Sequence, residues 1–104
     1  MSLVTEEYQD LVADCENNLV TVTNAAELMP KKHDRLYDIQ REQLKHAFEW
    51  YNISVKNLVA FQRKQQHRQQ LDSFDFEHLT WLCNSYRQVI QDIKRVYSFS
   101  SSEQ

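Results

Sequence analysis

No glycine occurs in this chain of 104 residues, and Pro30 is its only proline. Glycine supplies the positive-φ positions of tight turns and the close backbone approach that phosphate-binding loops require. The sequence therefore excludes a Gly-rich phosphate loop, a dinucleotide-binding fingerprint and a Gly-flanked nucleophile elbow. A chain with so few helix breakers is expected to form long helices.

Length and composition indicate a single domain with a modest core. The chain is 41% hydrophobic and 26% charged, which is typical of a globular protein and too apolar for a disordered one. No apolar run is long enough to span a bilayer, and the first residues lack the basic and apolar regions of a secretory signal. We therefore expect a cytoplasmic protein that does not enter a membrane.

Two cysteines and one Asp-x-x-His pair were considered as candidates for metal binding or catalysis. Cys15 and Cys83 match no zinc-ligand spacing and lie in apolar patterns, so we interpret them as buried free thiols in a reducing compartment. Asp75 and His78 lie at the expected start of a helix, where an acidic residue serves capping. No metal site, cofactor or catalytic nucleophile is predicted.

The first of three helical segments is predicted from about Thr5 to Met29, with Thr5 as its N-cap. Apolar residues recur there with alternating spacings of four and three, which is a heptad pattern. Residues 17–24 are rich in Asn and β-branched side chains and could be read as a strand. Helix is preferred because a lone strand would have no partner elsewhere in the chain. The apolar residues of the heptad pattern, which we call the seam of the helix, are Tyr8, Val12, Cys15, Leu19, Val22, Ala26 and Met29.

The second helix is predicted to follow Pro30, with Asp34 as its N-cap. Its seam comprises Tyr37, Leu44, Phe48, Tyr51, Val55 and Leu58, with Leu36, Ala47, Trp50 and Phe61 on an adjoining face. Such a wide apolar arc is expected of a helix that contacts two neighbours. Residues 62–70 contain no apolar side chain and could either continue the helix or form the connection.

The third helix is predicted to run to about Tyr97, with Asp72, Ser73 or Asp75 as its N-cap. Its seam comprises Leu79, Leu82, Tyr86, Val89, Ile93 and Val96, and Cys83, Ile90 and Tyr97 widen it. Three seams of similar length predict an all-α, antiparallel three-helix bundle over residues 1–97, followed by a polar, mobile tail at 98–104. Periodicity leaves open whether the seams meet within one chain or are completed by dimerisation.

Charge is unevenly distributed along the chain. Residues 1–29 carry six acidic and no basic side chains, residues 30–70 carry nine basic and four acidic ones, and the net charge is −3. We interpret this pattern as internal complementarity, with an acidic helix beside a basic one. A nucleic-acid footprint is disfavoured because such domains are usually strongly basic as a whole.

Arg41 and His46 form an Arg-x4-His pattern that resembles the Arg-x(4–6)-His signature of HEPN-type domains. The resemblance covers six residues. It implies an all-α, usually dimeric ribonuclease in which Arg41 stabilises the phosphate and His46 acts as acid and base. The family commonly has a polar residue such as Asn, Asp or His directly after the arginine, whereas this chain has Glu42, whose negative charge would repel RNA. A HEPN-like ribonuclease is therefore an alternative function rather than the preferred one.

A second alternative is weak nucleic-acid binding through the basic, Gln-rich segment 62–70. Arg63, Lys64, His67 and Arg68 could contact phosphates, and the glutamines could add hydrogen bonds. The competing interpretation is a solvated helix end that keeps the bundle soluble.

Three aromatic residues are not explained by the core pattern. Trp81 has polar neighbours on its helix, Phe74 precedes the same face, and Trp50 lies at the margin of the second seam. Exposed tryptophan commonly anchors interfaces, although Phe74 could instead fold over Trp81 as a lid on the core. We therefore predict a non-catalytic helical module for protein–protein interaction or assembly, with another protein or a second copy as partner and Trp81, Phe74 and Trp50 as contacts.

Overall fold

The computed structural model describes residues 3–68 and 71–99, and the side chains from Val4 onward within them. These residues form three helices: α1 (Leu3–Glu27), α2 (Tyr37–Arg68) and α3 (Ser73–Tyr97). No strand occurs in the described part of the chain, so the all-α prediction is confirmed. In residues 3–68 and 71–99, no helix combines the length and apolar character needed to cross a membrane.

Helix α2 lies between the other two helices and packs against both. Its direction relative to α1 follows from Tyr8, near the start of α1, whose ring stacks on that of Phe61, near the end of α2. At the opposite end, the Arg41 guanidinium of α2 donates a hydrogen bond to the carbonyl oxygen of Tyr97, the last residue of α3. Both neighbours therefore run antiparallel to α2, as the predicted bundle requires. The bundle measures 52 × 25 × 19 Å.

Local chemistry explains where the helices begin and end. Helix α1 starts at Leu3, so the prediction that Thr5 caps it was wrong; Thr5 lies inside the first turn. Asp34 Oδ1 accepts from the backbone N–H of Leu36 and stabilises the turn before α2, rather than capping the helix start directly. At α3, Asp72 is the N-cap and accepts a hydrogen bond from the N–H of Asp75.

Both segments whose structure was ambiguous in the sequence are helical. Residues 17–24 continue α1, and the Thr21 hydroxyl donates to the carbonyl oxygen of Asn17, which satisfies this polar side chain within the helix. Residues 62–68 continue α2, while Gln69 and Gln70 lie outside the described residues.

One continuous core joins the three helices. Tyr51, at its centre, is fully buried, donates a hydrogen bond to the carbonyl oxygen of Tyr86, and meets the Tyr86 ring edge-on. Val59 and Phe99 are buried although no predicted seam contains them, but most of the core comes from the predicted seams, including Cys15, Val22, Leu44, Phe48, Val55, Leu58, Leu79 and Leu82.

Leu79, Leu82 and Tyr86 are buried as the seam of α3 predicts, but in its second half the helix turns a different side to the core. Cys83 and Ile90, which were expected to widen the stripe, are buried, whereas Ile93 is partly buried and Val96 is 63% exposed. The reason is that α3 packs mainly on α2 and makes little contact with α1. The half of its apolar stripe that would have faced α1 is left uncovered.

The chain reverses after α3 without the glycine that usually occupies this position. Ser98 adopts a left-handed conformation (φ 58°, ψ 35°), which costs a residue with a Cβ about 1–2 kcal/mol. The reversal buries Phe99 against Phe48 and places its ring under the Arg41 guanidinium at 4.9 Å. Phe99, which we had assigned to the tail, therefore belongs to the packed part of the molecule; residues 100–104 lie outside the described part of the chain.

Replacing Leu79 with alanine should lower the free energy of unfolding by about 2–5 kcal/mol, because Leu79 is fully buried. The matched control, Val96→Ala, should change it by less than about 0.5 kcal/mol, because that side chain is exposed. Urea denaturation of both variants measures the difference. Equal losses of stability in the two variants would contradict the finding that α3 buries Leu79 and exposes Val96.

Stability should also fall as the pH rises from about 9 to about 11. Burial raises the pKa of the Cys15 thiol from 9.0 to about 11, so the unfolded chain releases a proton that the folded chain retains. At about 1.4 kcal/mol per pKa unit, Cys15 contributes a loss of about 2–3 kcal/mol. The pH dependence of urea denaturation should be shallower in Cys15→Ala, and an identical slope would contradict the burial of this thiol.

Candidate functional site

An open cleft separates α1 from α3 on the side of the molecule away from α2. Its larger part is a cavity of about 440 Å³ that is mainly apolar. A smaller cavity of about 260 Å³ lies between the first halves of the same helices. We call these two cavities together the α1/α3 cleft. The larger one is lined by Leu19, Val22, Thr23, Ala26, Glu27, Val89, Asp92, Ile93, Val96 and Tyr97.

The cleft exists because α1 and α3 both pack on α2 and their backbones approach each other closely at few points. Val89 and Ile93 are only partly buried for this reason, although their positions in the sequence predict core residues. In a fully closed three-helix bundle these side chains would pack against α1. Here they leave apolar surface available to another apolar element.

Trp81 is 62% exposed and lines neither cavity, but it neighbours His78, which lines the smaller one. Its ring stacks on His78 at a centroid distance of 6.1 Å, and the Tyr8 hydroxyl and Nδ1 of His78 are hydrogen-bonded at 2.8 Å. This chain of contacts links Trp81 to α1 and fixes one face of the indole. The other face remains open to solvent.

Phe74 is 76% exposed, which makes it as accessible as Trp81. Trp81 stacks on His78 and not on Phe74, so the described contacts give no support to the interpretation of Phe74 as a lid. Phe74 and Trp81 are seven residues apart on α3 and therefore share a face of the helix. Together they extend the apolar surface beyond the cleft.

Trp50 belongs to a different surface. It lies on α2, is 65% exposed, and lines neither cavity of the α1/α3 cleft. Ile53, one turn further along α2, is also exposed. The three aromatic residues predicted as partner contacts thus divide into a pair on α3 and a separate site on α2.

The rim of the α1/α3 cleft carries negative charge. Glu27 and Asp92 line the larger cavity, and Glu16 and Asp75 line the smaller one. No Lys or Arg is among the residues that line either cavity. The surface therefore combines an apolar floor with acidic edges.

Arg41 and His46 do not form a common site. The Arg41 guanidinium donates to the Tyr97 carbonyl oxygen and covers the Phe99 ring, so it holds the C-terminal reversal. His46 is exposed, with its Nε2 at 3.4 Å from a Glu42 carboxylate oxygen. Residues five apart on a helix point about 140° away from each other, which separates the two side chains within one chain.

The basic segment 62–70 is also divided by the helix. Lys64 and Arg68 are exposed one turn apart on α2, but Arg63 lines a cavity of about 420 Å³ between α2 and α3. Lys56, Arg87 and Lys94 line the same cavity. Sequence reasoning missed this cationic groove, although one signal was present: the cations are spaced by seven residues on each helix.

The two thiols have the environment of core residues. Burial raises the pKa of Cys15 to about 11 and also raises the pKa of Cys83, so neither is a thiolate near neutral pH. Both are free and buried.

Asp75 contributes its N–H to the cap of α3, and His78 is held by Tyr8. Among residues 3–68 and 71–99, no group of three or more His, Cys, Asp or Glu side chains is placed to hold a metal ion.

Comparison of this chain with protein-family models, curated proteins and solved structures found no match.

The contrasting contacts of Arg41 and His46 predict different effects of their removal. Arg41→Ala should lower the free energy of unfolding by about 1–2 kcal/mol, because it removes a hydrogen bond and a cation–π contact. His46→Ala should change it by less than about 0.5 kcal/mol. An assay with single-stranded RNA should detect no cleavage by the unmodified chain. Cleavage that disappears in folded His46→Ala would contradict this account and establish the ribonuclease alternative.

Proposed function

We propose that this protein is a non-catalytic interaction module whose α1/α3 cleft binds a helix of a partner protein. The observation that carries the proposal is an open apolar cleft next to which α3 exposes Trp81, stacked on the cavity-lining His78, and Phe74, adjacent to the cavity-lining Asp75. A helix laid between α1 and α3 would cover Val89, Ile93 and Val96 of α3, which α1 does not fully cover. Grooves between helices commonly receive an amphipathic helix in this way.

The cleft also favours a particular kind of helix. Its acidic rim and lack of lining cations are complementary to a helix with an apolar stripe and basic flanks. Trp81 would supply a large, rigid contact surface at the edge, which is how interface tryptophans act as anchors. Trp50 and Ile53 offer a separate, smaller surface on α2.

The contacts of the candidate residues favour this function over the two alternatives. Arg41 is occupied by Tyr97 and Phe99, and His46 lies between carboxylates, which is a poor arrangement for cutting RNA. Lys64 and Arg68 face away from Arg63, so segment 62–68 presents no single row of cations to a nucleic-acid backbone. The buried free thiols support our proposal of a reducing, cytoplasmic location.

Binding of a synthetic helix tests the proposal. The probe is an amphipathic peptide with a leucine stripe and lysine flanks, and its control has glutamates in place of the lysines. We expect calorimetry to show preference for the lysine peptide, because the cleft rim is acidic. Trp81→Ala should weaken that binding by about 2 kcal/mol, roughly 30-fold, while the melting temperature stays nearly unchanged.

The matched control variant is Ile39→Ala, which removes an exposed apolar side chain from α2 and should leave peptide binding unchanged. Equal binding of both peptides, or normal binding by a Trp81→Ala variant that melts early, would contradict the proposal. The second result would mean that Trp81 covers the core instead of meeting a partner.

A further inference from the structure

A groove between α2 and α3 carries the opposite charge from the α1/α3 cleft. Among the described residues, its lining includes four cations (Lys56, Arg63, Arg87 and Lys94) and no acidic side chain. Val55, Val59 and Ile90 form its apolar floor, and no residue of α1 contributes to it. We call this cavity the cationic groove.

The four cations are arranged as two pairs. Lys56 and Arg63 are seven residues apart on α2, and Arg87 and Lys94 are seven apart on α3. A spacing of seven is two helical turns, so each pair lies along one face and spans about 10 Å. The cationic groove therefore has a basic pair along each wall.

Helix α1 presents a convex surface of matching length and opposite charge. Glu6, Asp10 and Asp14 are exposed and follow one another at intervals of four residues. They form a negative row about 12 Å long on one side of the helix, which we call the acidic ridge. None of the three lines the α1/α3 cleft.

None of the ion pairs described for residues 3–68 and 71–99 joins the acidic ridge to a basic side chain. We expected α1 to lie beside a basic helix and exchange ion pairs with it, and α1 does pack on α2. Yet the ion pairs in the described residues join His46 to Glu42 and Glu49, and Arg95 to Asp92, and none involves α1. The opposite charges of α1 and of the cationic groove are thus kept on separate surfaces.

We propose that the acidic ridge of one copy docks into the cationic groove of a second copy. The ridge is a single helix and the groove lies between two, so the second copy adds a third helix against α2 and α3. Charge, length and shape agree between the two surfaces. This contact does not use the α1/α3 cleft or Trp81, so its test is independent of the test of the helix-binding function proposed above.

Because ridge and groove are different surfaces, the contact is head-to-tail. Each copy that docks leaves its own groove free and its partner's ridge free. Contacts of this kind either close into a ring or extend as a chain. The assembly should also depend on salt, since the charges involved are exposed to solvent.

Sedimentation equilibrium of the full chain measures this assembly. We expect the average mass to rise with protein concentration at about 0.05 M salt and to return to that of a monomer at about 0.5 M. The groove variant Lys56→Glu/Arg87→Glu should weaken association at least about tenfold, and so should the ridge variant Asp10→Lys/Asp14→Lys. All four positions are exposed, and circular dichroism verifies that both variants remain helical.

The control variant Lys31→Glu/Lys32→Glu makes the same change in net charge as the groove variant, but at exposed positions in the α1–α2 connection. It should assemble like the unmodified chain, because neither residue lines the groove or belongs to the ridge. Loss of association in this variant would show that net charge governs assembly and would overturn the proposal.

Mixing the groove and ridge variants gives the sharpest test. The groove variant keeps an intact ridge, and the ridge variant keeps an intact groove, so one native contact remains possible between them. We expect two variants that are monomeric alone to associate when they are mixed. A mixture that stays monomeric overturns the proposal.

An unmodified chain that stays monomeric at low salt also overturns it. If that chain instead binds single-stranded oligouridylate and the groove variant loses this binding, the groove serves nucleic acid and not a second copy.

Discussion

Packing of α2 against both other helices is the constraint on which the rest of the molecule depends. Tyr51 shows how it operates: its ring is buried in the core near Cys15 of α1, and its hydroxyl donates to the Tyr86 carbonyl oxygen of α3. Burial of these groups raises the pKa of Tyr51 and of Cys15. One turn of α2 therefore ties both neighbouring helices to a common centre.

The surfaces of the molecule follow from that arrangement. Since α1 and α3 each pack mainly on α2, the α1/α3 cleft remains between them, with an apolar floor and acidic edges. On the other side of α3, the junction with α2 forms the cationic groove. Helix α3 thus separates two concave surfaces of opposite charge, and each proposal made here concerns one of them.

The sequence predicted the fold well because its heptad spacing and its lack of glycine both favour long helices. It also identified Trp81 and Phe74 as exposed, since polar neighbours on a helix mark a side chain that the core does not need. It could not fix which side of α3 faces the core in the second half of the helix, because Val89 and Ile90 belong to two adjacent apolar columns and either could face the core. Only the position of α2 decides between those columns.

The sequence also could not show that the basic residues of segment 62–68 lie on different surfaces. Arg63 and Lys64 are adjacent in sequence but about 100° apart around the helix, so these neighbouring basic residues lie on two different surfaces. Arg63 instead lines the cationic groove together with Arg87 of α3. The two residues come to one groove only because α2 and α3 pack antiparallel in this register. The burial of Phe99 was missed for a related reason, since Arg41 and Phe48, which receive it, lie more than fifty residues earlier.

Amide hydrogen exchange measures most directly whether α2 organises the fold. Slow exchange marks the parts of a protein that open only on global unfolding. This account predicts that the slowest amides lie in the middle of α2, around Tyr51 to Leu58, and that the outward turns of α1 and α3 beside the cleft exchange faster. Slowest exchange in α1 and α3, with early exchange through the middle of α2, would show that the two outer helices form the stable unit and would contradict the account.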